Sequence, residues 1–394
     1  MRIQLGAELF DAEKVDPGDL LQLILSCRRP SPHFVALNPV WNQKIDSPIS
    51  RWLDLWPKSV QKTLRLILSD TTESIRRGRA LTIVVQAEYS DWEPPPGKGL
   101  RLNVKDALAM VRMPLHVLVE NRRNDGRFIA RFAIMLKANE DRVLFNRALC
   151  DGWFVFQQGG GLPEVQHLLN DLDPPNNDPV LCPNGSQRDV RRWRLFVVTD
   201  RDARAVKRPK NIAKKDWKEK PRDASQPSEE SEMALLVANE ALHEWDGRPA
   251  IHQLRRRAIE NYIPLDALAK WSREIEERDK RERRIAQCEA LRALDTADAH
   301  GRRPRWYFNM KDGLDGDKPK DVPTATADDD IHPMFHVLIA NQRVALQPGF
   351  NTRDEKIAEL LFNRETTPDD CLRDELSLDA DEATNLLHNL LNRL

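Results

Sequence analysis

Five carboxylates in this 394-residue chain stand where a parallel sheet would present them for chemistry. Glu120 follows the apolar run LHVLV (115–119), and Asp125 comes five residues later. Asp200 and Asp202 follow RLFVVT (194–199). Glu260 lies in IENYI, shortly after the strand-like AIHQL (250–254). Parallel strands bring their carboxyl ends to one edge, the edge where open α/β sheets hold their sites. Acids 80 and 60 residues apart would converge there. Crowded, partly buried carboxylates repel one another and hold their protons. Neighbouring Arg and Lys relieve that repulsion, or divalent cations do, and hard oxygen donors suit Mg²⁺ or Mn²⁺. Two such ions would serve phosphodiester hydrolysis, one activating water and the other stabilising the leaving oxygen. Asp200 and Asp202 alternate, so the turn must reorient one of them for both to reach one ion. The plain alternative is that each acid caps a helix or forms a surface ion pair.

The elements around these acids alternate. VKDALAMVRM (104–113) reads as a helix, LHVLV as a strand, and 125–137 as a helix. WFVF (153–156) is a strand, then comes a Gly turn and a helix over 163–169. The turn cluster DPPNNDP and the strand RLFVVT follow. Strand–helix alternation implies an α/β domain with a mostly parallel sheet flanked by helices. This domain is placed at 104–295, after an N-terminal α/β domain at 1–103 with a helix over 60–78, a strand over 80–89 and no visible reaction chemistry. Within it lie a basic insertion at 203–232, a helix over 234–245 and a long charged helix over 265–294. Residues 296–330, rich in Gly, Pro, Asp and Lys, read as a linker, and 331–394 as an acidic helical region.

Composition excludes several classes. The net charge is −1, from 61 basic and 62 acidic residues, and hydrophobic residues make up 40%. That is enough for a core. No apolar run reaches 18 residues, so no transmembrane helix is expected. MRIQLGAELFDAEK carries acids where a signal peptide has its apolar run. Cys27, Cys150, Cys182, Cys288 and Cys371 are scattered without a CxxC, which suits free thiols in a reducing cytoplasm. The near-zero charge hides opposed regions. Arg201 to Arg222 holds ten basic and three acidic residues, a local +7, and 351–394 has a local −6.

These motifs together resemble the TOPRIM family. Its pattern is a Glu after one strand (Glu120 in LHVLVEN), a Gly turn after the next (FVFQQGGGLPEV), and DxD after a third (Asp200 and Asp202 in LFVVTDRDA). RRRAIENYI resembles a further motif of the OLD-type TOPRIM nucleases, with Glu260 helping to hold a second ion. The resemblance spans roughly residues 104–270 and implies a Mg²⁺- or Mn²⁺-dependent endonuclease with two ions. Glu120, Asp200 and Asp202 would hold the first, and Asp125 and Glu260 would serve the second. The chain has no GxxxxGK[ST], so an ATPase or sensor would be a separate subunit, as in bacterial anti-phage systems.

The glycines of the turn, with Gly160 and Gly161 foremost, would offer amides to a phosphate, or form a plain tight turn. Arg122, Arg123, Arg255, Arg256 and Arg257 would contact phosphate oxygens, or pair with the same acids. Lys207 and Arg208 of the basic insertion would contact a nucleic-acid backbone, DNA or RNA, or be merely solvated. The competing class is a non-catalytic nucleic-acid-binding or scaffold subunit with a vestigial or regulatory metal site. A nucleotidyl-transfer enzyme would use similar carboxylates. Oligomeric state is left open.

Overall fold

The computed structural model describes residues 1–394 apart from 12, 39–46, 70–79, 95–97, 171–184, 245–246, 299–300, 320–321, 326 and 351–356. The described strands form two four-stranded, all-parallel sheets. The first holds β1 (Arg2–Gly6), β2 (Phe34–Asn38), β3 (Thr82–Gln86) and β4 (Leu100–Asn103), in the order β2-β1-β3-β4. The second holds β5 (Leu115–Val119), β6 (Phe154–Gln158), β7 (Leu195–Thr199) and β8 (Ile251–Gln253), in the order β6-β5-β7-β8. In each sheet the chain starts on an inner strand, steps outward, then returns to the other side.

The second sheet is covered on both faces, as parallel sheets require. Side chains alternate along each strand. Val117, Val119, Phe196 and Val198 enter one core with Phe128 and Ile129 of the helix Arg122–Arg131. Leu118, Leu195 and Val197 enter the other with Val165 and Leu169 of the helix Leu162–Asn170 and Ala238 of the helix Glu229–Ala241. The α/β class and parallel sheet agree with the sequence reading.

Several boundaries differ. The helix expected over 125–137 starts at Arg122, because Asn121 caps it by accepting from the amides of Arg123 and Asn124. It ends at Arg131 and passes into a 3-10 turn, Phe132–Met135. The long helix expected over 265–294 is two helices, Leu265–Glu274 and Arg278–Ala293, parted at an extended Ile275. The break lets Leu268 and Ser272 fold back against Cys288 and Leu291; one straight rod would hold these stripes apart. Of the helix expected over 60–78, the structure shows Lys58–Ser69; residues 70–78 lie outside the described residues, as does DPPNNDP.

Residues 296–330 are not a linker. Trp306, Phe308, Met310, Leu314 and Ala325 are buried in the same core as β5. The Gly and Asp content of this stretch masks a short apolar run, WYFNM, that contributes to the core. Leu372, Leu376, Leu386 and Leu390 of the last two helices join that core. The final helix, Ala380–Arg393, also reaches the first sheet, where the Leu81 amide donates to the Asn392 carbonyl at 2.9 Å. No helix among the described residues is long and apolar enough to cross a membrane.

Candidate functional site

The chain reverses direction across the second sheet between β5 and β7. Ligands of open α/β sheets bind at such a reversal, beyond the strand carboxyl ends. Val119 pairs in register with Val198, so Glu120 and Asp200 leave the sheet side by side. The Asp200 amide donates to Glu120 Oε1 at 3.2 Å, which joins two of the expected residues directly.

Local structure fixes each acid. Asp125 turns back at the head of its helix, and its Oδ2 accepts from the Asn121 amide at 2.7 Å. The Asp200 carbonyl accepts from Ser231 Oγ at 2.7 Å, and Ser231 accepts from Gln253 at 2.6 Å. Asp202 is the one non-glycine among the described residues with positive φ, +51°. Asp tolerates this left-handed conformation better than most residues, and such strain concentrates at functional sites. The amides of Arg201 and Asp202 both donate to the Arg257 carbonyl, at 3.0 and 2.9 Å. The loop after β8 is thereby clasped onto the DxD turn.

Glu260 sits in a 3-10 turn, Ile259–Tyr262, that Asn261 holds from within. The Asn261 oxygen accepts from the Ala258 amide at 3.2 Å, and its nitrogen donates to the carbonyls of Arg305 and Phe308 at 3.0 and 2.9 Å. Glu260 is buried, and its Oε2 has no hydrogen-bond partner among the described residues. Its Oε1 lies 3.5 Å from the Nζ of Lys311.

Burial and mutual repulsion hold protons on three of these acids, Glu120, Asp125 and Asp200. Glu120 is pushed up to about 7, by burial first and then by Asp202 and Asp125. Asp125 is pushed up to about 6, by burial and then by Glu260. Asp200 lies well above the carboxylate range through burial, Glu120 and Asp125. Lys311 is held charged by Glu260, Asp200, Asp202 and Glu120 against the opposing effect of burial.

Every donor here is a carboxylate oxygen, the set a hard divalent cation prefers. The unpartnered Glu260 Oε2 and the crowded negative charge fit such an ion. Among the described residues, no three carboxylate, imidazole or thiol groups form a ready-made metal cluster, and Lys311 stands in part of the space between the acids.

Arg255, Arg256 and Arg257 pair with acids outside the five carboxylates. Arg256 is fully enclosed, pairs with Glu375 and lies over the rings of Tyr262 and Trp306 at 4.4 and 4.6 Å. Arg257 is buried in a two-pronged pair with Asp317. Arg255 pairs with Asp379. Neither Arg256 nor Arg257 presents its guanidinium to a phosphate, and their acids come from the C-terminal third rather than from the site. Arg122 is exposed, and Arg123 pairs with Glu359 at 3.7 Å.

The Gly turn is likewise committed. Gly159 and Gly160 donate to the carbonyls of Val119 and Glu120 at 2.7 and 3.2 Å, so those amides anchor the turn to β5 and are not free for a phosphate. A Cβ on Gly159 would lie 2.5 Å from Val165 Cγ2. Gly161, at φ +114°, leads into the following helix.

The basic insertion leaves the site through a neck where Arg204 pairs with Asp223 in an antiparallel bridge and Arg201 donates to the carbonyls of Ala224 and Ser225. Beyond the neck, Lys207, Arg208, Lys210, Lys214 and Lys218 are exposed. Lys207 reaches Glu229 at 2.5 Å.

Sequence reasoning missed Lys311, Asn261 and Ser231. Lys311 and Ser231 lie in segments that no strand-end rule reaches, and Asn261, though it follows Glu260 in IENYI, carries no spacing that marks it as the turn's clamp. No family model, no curated protein and no solved structure matches the chain.

Proposed function

We propose that the protein is a divalent-cation-dependent nuclease that hydrolyses nucleic-acid phosphodiester bonds. The observation that carries this reading is the gathering of Glu120, Asp125, Asp200, Asp202 and Glu260 around Lys311 at the reversal of the second sheet. Glu120, Asp200 and Asp202 would hold one ion, and Asp125 and Glu260 a second. Bound Mg²⁺ or Mn²⁺ would supply an activated water and charge stabilisation at the leaving oxygen. Glu120, beside the ion, would be placed to accept a proton from the activated water. Lys311 places a fixed positive charge where the scissile phosphate would add negative charge. The exposed lysines of the insertion offer a backbone-contacting surface beside the acids. The wider setting, an anti-phage effector with a separate ATPase or sensor subunit, rests on the TOPRIM resemblance alone.

The purified protein should nick plasmid DNA or degrade bulk tRNA with Mg²⁺ or Mn²⁺. Glu120→Ala and Asp200→Ala should abolish this. Cleavage that survives both substitutions sinks the proposal. Lys311 also favours a second reading, a scaffold whose acids are already balanced by an internal ammonium. That reading requires that Mg²⁺ leave the melting temperature of the wild type unchanged.

A further inference from the structure

We propose that the cavity between β5, β6 and the helix Leu162–Asn170 binds a small organic phosphate. This cavity is separate from the acidic site and of opposite charge. It measures about 420 Å³, within the range of ligand pockets, and its walls include His116, Gln157, Arg191, Arg194, Leu118 and Leu168. Among the described residues, no acidic side chain lines it.

The independent observation is Arg194. It is 1% exposed, and its guanidinium meets only neutral groups: the carbonyls of Met113 and Arg393 and the Met1 sulfur. Among the described residues no carboxylate pairs with it. A buried guanidinium ordinarily has an acidic partner, because an isolated buried charge is costly. Burial and the nearby Arg393 push Arg194 down to about 9, which is the signature of a charge lacking a counter-ion. Arg191, exposed at the rim, adds a second guanidinium. Burial, Arg194 and Arg191 keep His116 neutral near pH 7, so it serves as a hydrogen-bonding group beside Gln157.

Arg191, exposed at the rim, can fork the oxygens of a phosphomonoester, while Arg194, whose Nε and Nη1 already donate to carbonyls, adds uncompensated positive charge behind the cavity wall to match the near-dianion. Leu118 and Leu168 provide an apolar wall for the organic body. Inorganic phosphate would fill only part of the space.

Thermal shift and calorimetry on the full chain, in EDTA, test this with AMP, glucose 6-phosphate and phenyl phosphate as probes. Adenosine and inorganic phosphate serve as controls. At least one probe should raise the melting temperature and bind more tightly than either control. Arg191→Glu should weaken that probe at least about tenfold. Leu168→Trp, which fills the cavity, should abolish binding, while Asp200→Asn should bind as the wild type does. Failure of all three probes at about 10 mM overturns the proposal. So does binding that Arg191→Glu and Leu168→Trp leave unchanged. Adenosine binding equal to that of AMP also overturns it. None of these readouts depends on cleavage, so the nuclease reading can fail independently.

Discussion

Lys311 Nζ stands 3.5 Å from Glu260 Oε1, and through that contact a segment with the composition of a linker enters the acidic site. Glu260 is nearly enclosed while Lys311 is half exposed, so the ammonium closes the site on its solvent side. The backbone that carries Lys311 is held from beneath. Phe350 donates to the Met310 carbonyl at 2.8 Å, and Asn309 accepts from Asp312 and Gly313.

Replacing this lysine tests its electrostatic role. Lys311→Met should lower stability by about 1 kcal/mol at pH 8, a modest value because the group is half exposed. The loss should shrink at pH 5, where Glu120 and Asp200 hold their protons. Its own ammonium stays charged throughout, since its folded pKa is raised and its stabilisation fades only at strongly alkaline pH. Urea melts at the two pH values measure the difference. Equal losses would mean that Lys311 acts by packing alone.

The acids should make the metal-free protein less stable as pH rises. Glu120 and Asp125 have folded pKa values raised above their unfolded ones, to about 7 and about 6. The folded state then binds more protons than the unfolded state between about pH 4 and 7, and stability falls across that window. The drop should be several kcal/mol, since each pKa unit is worth about 1.4 kcal/mol. Asp200→Asn should flatten it, and millimolar Mg²⁺ should restore stability more at pH 8 than at pH 5. Thermal melts in EDTA and in Mg²⁺ across pH 4.5–8 would show this.

Glu375 serves two buried arginines, Arg256 and Arg305. Removing one member of such a group leaves uncompensated charge in the interior. Glu375→Ala should therefore cost about 3–5 kcal/mol in chemical denaturation. Arg373→Ala, on an exposed side chain of the same helix, should stay within about 0.5 kcal/mol.

Gly349 lies against the lysine's own backbone. A Cβ there would come within 1.9 Å of the Lys311 carbonyl oxygen and 2.5 Å of the Asp312 nitrogen. Gly349→Ala should force the two backbones apart, cost about 1–3 kcal/mol, and reduce cleavage by displacing Lys311. Gly152→Ala meets nothing within 4 Å and carries only the strain of φ +73°, so it should preserve cleavage. Melting temperatures and cleavage rates of the pair separate the two effects.

The exposed cations of the insertion should act through salt-sensitive phosphate pairing. Lys210→Glu with Lys214→Glu should weaken nucleic-acid binding for all sequences alike. The slope of log affinity against log salt should fall by about one for each phosphate that is no longer neutralised. Fluorescence anisotropy in EDTA reads this without cleavage. An unchanged slope would assign the loop to solvent.

Much of the site was legible because hydrophobic strands announce themselves. LHVLV and RLFVVT are buried runs of strand length, and the acids directly after them must leave the sheet at its carboxyl edge. Glu120 and Asp200 did meet, joined by a hydrogen bond. The arginines were harder to read. RRR beside an acidic motif has the same composition whether it faces a phosphate or a carboxylate. Only the position of Glu375, Asp317 and Asp379 settles which, and those lie 60 or more residues away.

By itself, the sequence determined the parallel second sheet, the edge at which the acids gather and the opposed charges of the basic insertion and the tail. These follow from local apolar runs and from where polar residues interrupt them. Tertiary structure alone decided that Trp306, Phe308, Met310, Leu314 and Ala325 are core, that 265–294 is two helices and that an ammonium stands among the acids. The reason is physical. Burial of Trp306 or Phe308 and the pairing of Lys311 depend on surfaces supplied by distant segments. A local pattern of charge and hydropathy carries no record of which distant surface a side chain will meet.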